Sequence, residues 1–499
     1  MEEFDLLVVG AGSGLDVAQT AANLGRSVAV VERDALGGTC LNRGCIPSKM
    51  LVQHAQVMET VQSADEFGID VTVEDVAFGE FVDSVTATVE ADAADIREGL
   101  EASQDHRLFE GEARFVDDRT VTVHGGPDDG AQVRGEDVLV ATGARPAVPS
   151  IDGIAEVDYL TSREALRLRA PPDHLLVVGG GYIAAELGTF FERFGSEVTV
   201  VGRRPHMLPG VDDEVSHEFT EAVRDRFDLR VGYEATAVSP DGDDITLRAR
   251  PYEPAADAEE RATGAVTVTG DELLVAAGRR PNTEALNLEA TGVETTESGF
   301  VEVDEYLRTT AEGVWALGDV AGEPMLKHAA NREARMAMLN ILGEDLTPAD
   351  PAAMPFAVFS APEVAGVGRT EAAVAEAGID YRTTRYPYTE TARGEAMGAE
   401  GFVKVIADAE DRILGCHIVG PEAAVLIQEV VVAMTAGSGT VGDIRRTVHV
   451  HPALSEVVGR AFSGEFVPGP KGGHDPHDLR ALATEGDDSG GEQSGQADD

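Results

Sequence analysis

Two cysteines five positions apart carry the sharpest chemical signal in this sequence. They lie in Gly37-Gly38-Thr39-Cys40-Leu41-Asn42-Arg43-Gly44-Cys45-Ile46-Pro47-Ser48-Lys49, and the only other cysteine is Cys416. Three cysteines are too few for a disulfide framework, so the close pair reads as chemistry. If the pair opens a helix, the two sulfurs come within bridging reach and the helix N-terminus stabilises a thiolate. A reversible disulfide and half of a zinc site both use such spacing. No second Cys/His pair with zinc-like spacing occurs nearby, and no metal is expected.

The elements that must position these thiols have a nucleotide-binding pattern. Residues 4–9 form a mostly apolar run, followed by Gly10-Ala11-Gly12-Ser13-Gly14, a helical stretch to Leu24, then Ser27-Val28-Ala29-Val30-Val31 and the acid Glu32. Strand, glycine turn, helix, strand and acid make the dinucleotide-binding βαβ plan. The plan returns at 175–178, Gly179-Gly180-Gly181-Tyr182-Ile183-Ala184, a helix to Gly195, and 198–201. Phe194–Arg204 lines up with Leu24–Asp34, which marks an internal duplication. One glycine fingerprint is a weak signal. Two, each with its strand and helix, predict two dinucleotides rather than a ligand-free sheet with glycine-rich turns. In the second copy the place of Glu32 is taken by Gly202, followed by Arg203 and Arg204. A carboxylate there would bond the 2′-hydroxyl of NADH; its removal beside two arginines suits the 2′-phosphate of NADPH.

Further along, residues 52–110 read as acidic amphipathic helix. Short strands at 119–123 and 137–140 end in Ala141-Thr142-Gly143, and a second such strand, 273–278, leads into Arg279-Arg280-Pro281-Asn282. From about 350, strands at 400–408 and 412–419 and a helix at 421–436 suggest a separate C-terminal domain. Residues 471–499, rich in Gly, Asp, Ser, Gln and Glu, predict a disordered acidic tail.

The 499 residues carry 90 Asp+Glu against 39 Lys+Arg, a net charge of −51, and only Lys49, Lys327, Lys404 and Lys471 are lysines. With 43% hydrophobic residues the chain must fold, so the acid coats its surface. Such a balance excludes a general nucleic-acid binder and argues against docking on anionic membranes. It looks like the surface of a protein from a high-salt cytoplasm, where screening relieves self-repulsion; an acidic mesophile protein is the bland alternative. No apolar run is long enough to span a membrane, and the N-terminus enters a strand without a basic stretch or cleavage site, so a cytoplasmic location is expected.

On its Gly-Gly-Thr-Cys-x4-Cys-Ile-Pro-x-Lys motif and the order of its parts over about residues 4–465, the chain resembles the flavin-dependent pyridine nucleotide-disulfide oxidoreductases. That family includes glutathione, mycothione and mercuric reductases and dihydrolipoamide dehydrogenase. The resemblance implies an α/β fold with two Rossmann-like dinucleotide-binding domains, for FAD and NAD(P), plus an α+β C-terminal dimerisation domain. The expected boundaries are 1–150 and 276–345 for FAD binding, 151–275 for NAD(P)H binding and 346–470 for dimerisation. It further implies that Gly10, Gly12 and Gly14 hold the FAD pyrophosphate, with Glu32 on the adenosine ribose. Asp319 would contact the ribityl chain and Ala113 the adenine through its backbone, with Thr39 and Gly143 also at the FAD site. Gly179, Gly181 and Gly278 would belong to the NADPH site, with Arg203 and Arg204. Cys45 would be the charge-transfer sulfur beside the flavin and Cys40 the interchange thiol. Lys49 would lie near flavin N5, paired with Glu186, which also borders the NADPH site. His451, in His451-Pro452-Ala453-Leu454-Ser455-Glu456, would be the acid/base for the interchange thiol, with Glu456 on its other nitrogen. His449 is the nearest decoy. In this family the histidine serves the partner subunit's cysteines, so a homodimer with a shared active site is implied. One departure stands out: the third fingerprint glycine position holds Leu15.

The family's chemistry passes hydride from nicotinamide through flavin to the Cys40–Cys45 disulfide; the freed Cys40 thiolate attacks a substrate disulfide and His451 protonates the leaving thiol. Tyr182 resembles the tyrosine that lids the nicotinamide pocket in glutathione reductase. The extra C-terminal cysteine pair of mercuric reductases is missing, and Cys416 reads as a core residue. The expected function is therefore NADPH-dependent reduction of a low-molecular-weight disulfide, of the bis-γ-glutamylcystine, mycothione or glutathione kind. The rivals are dihydrolipoamide dehydrogenase, oxidising dihydrolipoamide with NAD, and an electron-transfer flavoprotein without a disulfide substrate.

Overall fold

The first strand, β1 (Glu2–Val9), ends in four consecutive buried residues, Leu6 to Val9, because both of its faces are covered. The computed structural model to which it belongs describes residues 1–103, 105–252, 264–343, 345–349 and 353–470. After β1 come α1 (Gly14–Asn23), β2 (Val28–Glu32), α2 (Gly38–Arg43), α3 (Cys45–Gln62), α4 (Phe78–Ala102), β3 (His106–Glu110), β4 (Glu112–Phe115), β5 (Thr120–His124) and β6 (Gln132–Val140). These strands form one sheet in the order β3-β2-β1-β6-β5-β4. Strand β6 is shared along its length: Gln132–Arg134 pairs antiparallel with β5, while Val138–Val140 pairs parallel with β16 (Val314–Ala316).

Alternation along these strands divides the core into two layers. Leu7, Val9, Ala29, Val31, Val138 and Val140 join one apolar cluster, and Leu6, Val8, Val28, Val30 and Leu139 join the other, under α1. A slip by one residue would exchange the layers.

The chain then passes through β7 (Ala144–Pro146) and the short α5 (Ser162–Ala165) to β8 (His174–Val178), α6 (Tyr182–Arg193), β9 (Glu197–Gly202) and β10 (Asp228–Val231). An antiparallel ribbon of β11 (Tyr233–Asp241), β12 (Asp244–Pro251) and β13 (Val266–Gly270) leads back to β14 (Glu272–Val275). The second parallel sheet runs β10-β9-β8-β14. Its register repeats the first: Gly179 N–H donates to Val201 O at 2.9 Å as Gly10 N–H does to Val31 O, and Ala276 N–H donates to Val178 O at 2.8 Å as Ala141 N–H does to Val9 O. The two glycine-ended strands read as similar in the sequence are joined. β7 pairs antiparallel with β15 (Arg279–Pro281), Ala147 N–H donates to Gly278 O, and Asn282 exchanges hydrogen bonds with Thr142.

The stretch 52–110 is not one helix. Helix α3 stops at Gln62, a 3-10 turn covers Ala64–Phe67, and Gly68 at φ +73° ends it. The β-branched Val71-Thr72-Val73 that follow take no helical form before α4 begins at Phe78. At the far end β2 recruits His106–Glu110 as a parallel edge strand, pairing Val28 with His106 through Glu32 with Glu110.

The chain divides into two compact units, Met1–Gly210 with Ser216–Val364, and Val211–Val215 with the described residues from Ala365. The second unit has an antiparallel ladder of Tyr381–Pro387, Phe402–Asp408 and Ile413–Val419, with the helix Ala423–Ala436 beyond it. Lys404 lies buried in this unit, paired with Asp212 at 2.9 Å, Glu214 at 2.6 Å and Glu371 at 2.5 Å. Cys416 is fully buried in its ladder. The expected tail, 471–499, lies outside the described residues. Among the described residues no helix is long and apolar enough to cross a membrane.

Candidate active site

The first glycine turn is shaped by backbone that leaves no room for side chains. Gly10 has φ +105°, and a Cβ on it would stand 2.4 Å from Ala141 O. The duplicate, Gly179, has φ +119°, and a Cβ would stand 2.2 Å from Ala276 O. The close approach of helix to strand falls on Gly14, where a Cβ would meet Val8 Cγ1 at 2.7 Å and Ala141 Cβ at 3.0 Å. Leu15, the departure from the fingerprint, is half-buried and packs on the cluster under α1. The expected role of the third glycine thus passes to Gly14.

Neither turn is closed off by a capping side chain: Ser13 before α1 and Gly181 before α6 cap no first-turn N–H through a side chain. First-turn amides left in this way suit a diphosphate. Gly12 and Gly38 pack back to back, since a Cβ on Gly38 would stand 2.8 Å from Gly12 Cα. Lys327, one of the four lysines but without an expected site role, brings Nζ to 3.0 Å from Ser13 Oγ and also bonds Asn331. These features fit the negatively charged body of a dinucleotide such as FAD.

Glu32 ends β2, and its carboxylate accepts from the N–H of Ala11 at 2.7 Å and from those of Arg33 and Asp34 at 2.8 Å. The acid thereby braces the turn as well as ending the strand. In the second copy Gly202 faces Gly180, the duplicate of Ala11: a Cβ on Gly202 would stand 3.6 Å from Gly180 N, and among the described residues no carboxylate stands there. Arg203 and Arg204 follow on the surface, exposed, with the Arg203 guanidinium 5.5 Å from the Tyr252 ring. Among the described residues neither is paired with an acid.

The cysteines sit on successive helices, Cys40 half-buried within α2 and Cys45 exposed as the first residue of α3. Thr39 shares α2 with Cys40. The two sulfurs are thiols, unbridged, and they ionise unequally. The hydrogen bond from Cys40 draws Cys45 down to about 6; burial opposes this, and the Lys49 charge assists. Cys40 is pushed up, first by that same hydrogen bond and then by burial, with Lys327 pulling the other way. Lys49, four residues beyond Cys45 on α3, reaches Glu186 on α6 with Nζ–O distances of 2.8 and 2.6 Å. The sequence pairing of Lys49 with Glu186 is thus seen in the fold.

Asp319 lies in the 3-10 turn Gly318–Val320, 3.4 Å from the nearly buried Arg279 Nε, and burial raises its carboxyl while Arg279 lowers it. Burial likewise raises the Tyr182 phenol at the start of α6, against the field of Arg279. Gly143 and Gly278 both take positive φ, with nothing near the place of a Cβ. Ala113 is buried in β4. Nothing local in Arg279-Arg280-Pro281-Asn282 marks Arg279 as a site residue; its nearness to Asp319 in the fold does.

In the second unit His451 is 71% exposed, and its Nδ1 lies 3.0 and 3.1 Å from the two Glu456 oxygens. With Nδ1–H donating to the carboxylate, Nε2 is left as the basic nitrogen of this exposed ring. The hydrogen bond from His451 holds the Glu456 carboxyl below its ordinary range. The decoy, His449, is turned inward, with Nε2 2.9 Å from Glu429 Oε2 and its ring against Gly459.

Comparison with known proteins extends these observations. Residues 4–334 match the pyridine nucleotide-disulphide oxidoreductase family, and residues 354–462 match the dimerisation domain of that family. A dihydrolipoyl dehydrogenase of Haloarcula marismortui is 40% identical over 470 residues, covering 92% of this chain and 95% of its own. Mycothione reductase of Mycobacterium tuberculosis is 34% identical over 475 residues, covering 93% of this chain and all of its own. Among solved structures, the HOCl-induced flavoprotein disulfide reductase RclA of Escherichia coli superimposes with a TM-score of 0.81 at 28% identity, covering 93% of this chain and 99% of its own.

Proposed function

Because the chain belongs to the pyridine nucleotide-disulfide oxidoreductases, enzymes that bind FAD and a pyridine nucleotide, we propose that it uses NADPH to reduce the disulfide of a small thiol through Cys40 and Cys45. The carrying observation is the contrast between the duplicated turns. Glu32 fills the first with a carboxylate, whereas among the described residues Gly202 leaves the second without one and two arginines without an acid partner follow. A 2′-phosphate needs that absence of negative charge and those donors; a 2′-hydroxyl needs neither.

The bound flavin would supply two-electron chemistry between nicotinamide and the cysteine pair. The residues of this chain do the rest. Cys45, at the start of α3 with Lys49 one turn on, holds a thiolate at neutral pH. Cys40 keeps its proton until Cys45 no longer accepts its hydrogen bond, and then becomes the nucleophile toward substrate. His451, fixed by Glu456, takes and returns the proton of the exchanging thiols through Nε2. The dimerisation domain implies a homodimer, in which the exposed His451 of one protomer would serve the cysteines of the other.

Steady-state rates with NADPH and with NADH at one ionic strength, using several low-molecular-weight disulfides, test the proposal. A wild-type preference for NADH would overturn the phosphate-site reading. The second reading, dihydrolipoamide dehydrogenase, draws on the relatives of that name from halophilic archaea. It predicts faster turnover with NAD and dihydrolipoamide than with NADPH and any disulfide.

A further inference from the structure

Phe359 touches both members of the Lys49–Glu186 ion pair. Its backbone N–H donates to Glu186 Oε1 at 3.0 Å, and its ring centroid lies 4.8 Å from Lys49 Nζ. The Glu186 side chain is only 7% exposed, so its position is set by these few partners. Lys49 and Cys45 stand four residues apart on α3 and therefore share a helix face. The ammonium is thus divided between a carboxylate on α6 and a thiolate on its own helix. A lysine bound by a carboxylate alone would follow that carboxylate through many rotamers; an aromatic face adds a second, directional attraction.

The segment bearing Phe359 is itself held in place. His328 Nε2 lies 2.6 Å from Pro355 O, Ser360 Oγ donates to Pro362 O at 2.7 Å, and Arg226 donates to Ala361 O. The segment falls within the span matched to the dimerisation domain, yet the first compact unit runs on to Val364 and includes it. A residue of the dimerisation sequence is thereby built into the surroundings of the redox centre.

We propose that Phe359 is a positioning residue for the redox centre: its ring and its N–H together fix how the Lys49 charge is shared between Glu186 and the Cys45 sulfur. The inference rests on Cys45 being the thiolate partner of the flavin. Phe359→Leu keeps the N–H and the apolar bulk but removes the aromatic face, and Phe359→Tyr keeps that face. In Phe359→Leu the midpoint for alkylation of Cys45 by iodoacetamide should rise, and the rate at pH 6 should fall about two- to five-fold, the factor matching a modest cation–π contact. The long-wavelength absorbance of the two-electron-reduced enzyme should titrate with the same upward displacement, while Phe359→Tyr stays with the wild type. In a Lys49→Met background Phe359→Leu should add nothing, because the ring then has no cation to hold. Should the leucine variant fail to accumulate, Phe359→Met asks the same question with similar volume. An unmoved midpoint in the leucine or methionine variant, or a shift that persists without Lys49, overturns the inference. A wild-type enzyme with no Cys45-dependent long-wavelength band overturns instead the reading on which it rests.

Discussion

Cys45 is drawn down to about 6 chiefly by the Cys40 hydrogen bond, with Lys49 adding its charge against the cost of burial. The sign follows directly: above about pH 6 the sulfur is thiolate, and below it the proton returns. Alkylation of the reduced enzyme should therefore rise through a midpoint near 6, and Cys40→Ala, which deletes the donor, should move that midpoint upward. A midpoint in the ordinary thiol range in the wild type would remove the basis for assigning unequal roles. His451 carries a separate expectation, since Glu456 holds Nδ1 of the exposed ring and, among the described residues, Nε2 makes no hydrogen bond. His451→Ala should cut disulfide turnover by about 10²–10⁴-fold, the usual worth of general acid/base help, while flavin reduction by nucleotide in a stopped-flow experiment stays nearly unchanged. The inward-facing His449, spent on Glu429, should not substitute for it.

The two βαβ units show how one local design serves two ligands. Each places a glycine in a left-handed conformation against the carbonyl of a neighbouring strand, at Ala141 and at Ala276, and each leaves the following helix without a side-chain cap. In the first, Gly14 brings α1 against β1 so closely that Gly14→Ala would press a methyl into Val8 and Ala141. Overpacking of this kind costs about 1–3 kcal/mol, so a lowered thermal midpoint and weaker flavin retention are expected; an unchanged midpoint would mean that the helix yields easily. In the second, the proposed choice of nucleotide rests on the end of β9. Replacing Gly202 by Glu and both following arginines by neutral residues should turn preference toward NADH, each lost charge-assisted contact being worth about 1.5–3 kcal/mol. The ratio of kcat/KM for NADPH and NADH at fixed salt reads this out, and an unaltered ratio would place the specificity elsewhere.

A net charge of −51 acts on the molecule as a whole. Self-repulsion among surface acids opposes the compact state, and salt shortens its range, from a Debye length of about 10 Å at 0.1 M to about 3 Å at 1 M. The thermal midpoint should therefore rise between 0.1 and 2 M KCl, and a flat dependence would assign the acid to solubility alone. The dimer supplies the other whole-molecule prediction. Cys40→Ser and His451→Ala homodimers should each be nearly inactive in disulfide reduction, whereas subunit exchange between them creates hybrids with one intact composite site. An equal mixture should then recover about a quarter of the wild-type rate, given random pairing in a two-fold dimer. Failure to recover any activity after verified exchange would place both residues in a single-chain site.

Local chemistry was legible from the sequence because it is carried by neighbours along the chain. The glycine turns, the strands around them, the duplication and the close spacing of Cys40 and Cys45 depend on residues within one βαβ unit or one turn, although the pair opens no single helix, Cys40 lying within α2 and only Cys45 starting α3. The ladder at 402–419 and the helix at 423–436 were likewise readable from periodicity. Tertiary structure decided what depends on partners far apart in the chain. It put Phe359 against both members of the Lys49–Glu186 pair, which only the family resemblance brings together across 137 residues. It joined Thr142 to Asn282 across 140 residues, tying the two glycine-ended strands together. It moved the close-packing role from the fingerprint's third position to Gly14, because the distance from α1 to β1 and to Ala141 sets where a side chain can stand. It also broke 52–110 into helix, turn, helix and strand, since β2 offered a hydrogen-bonding edge to His106–Glu110 that no local pattern announces. Spacing along the chain reveals which groups are chemically able; only packing brings together the distant ones and sets the field in which they ionise.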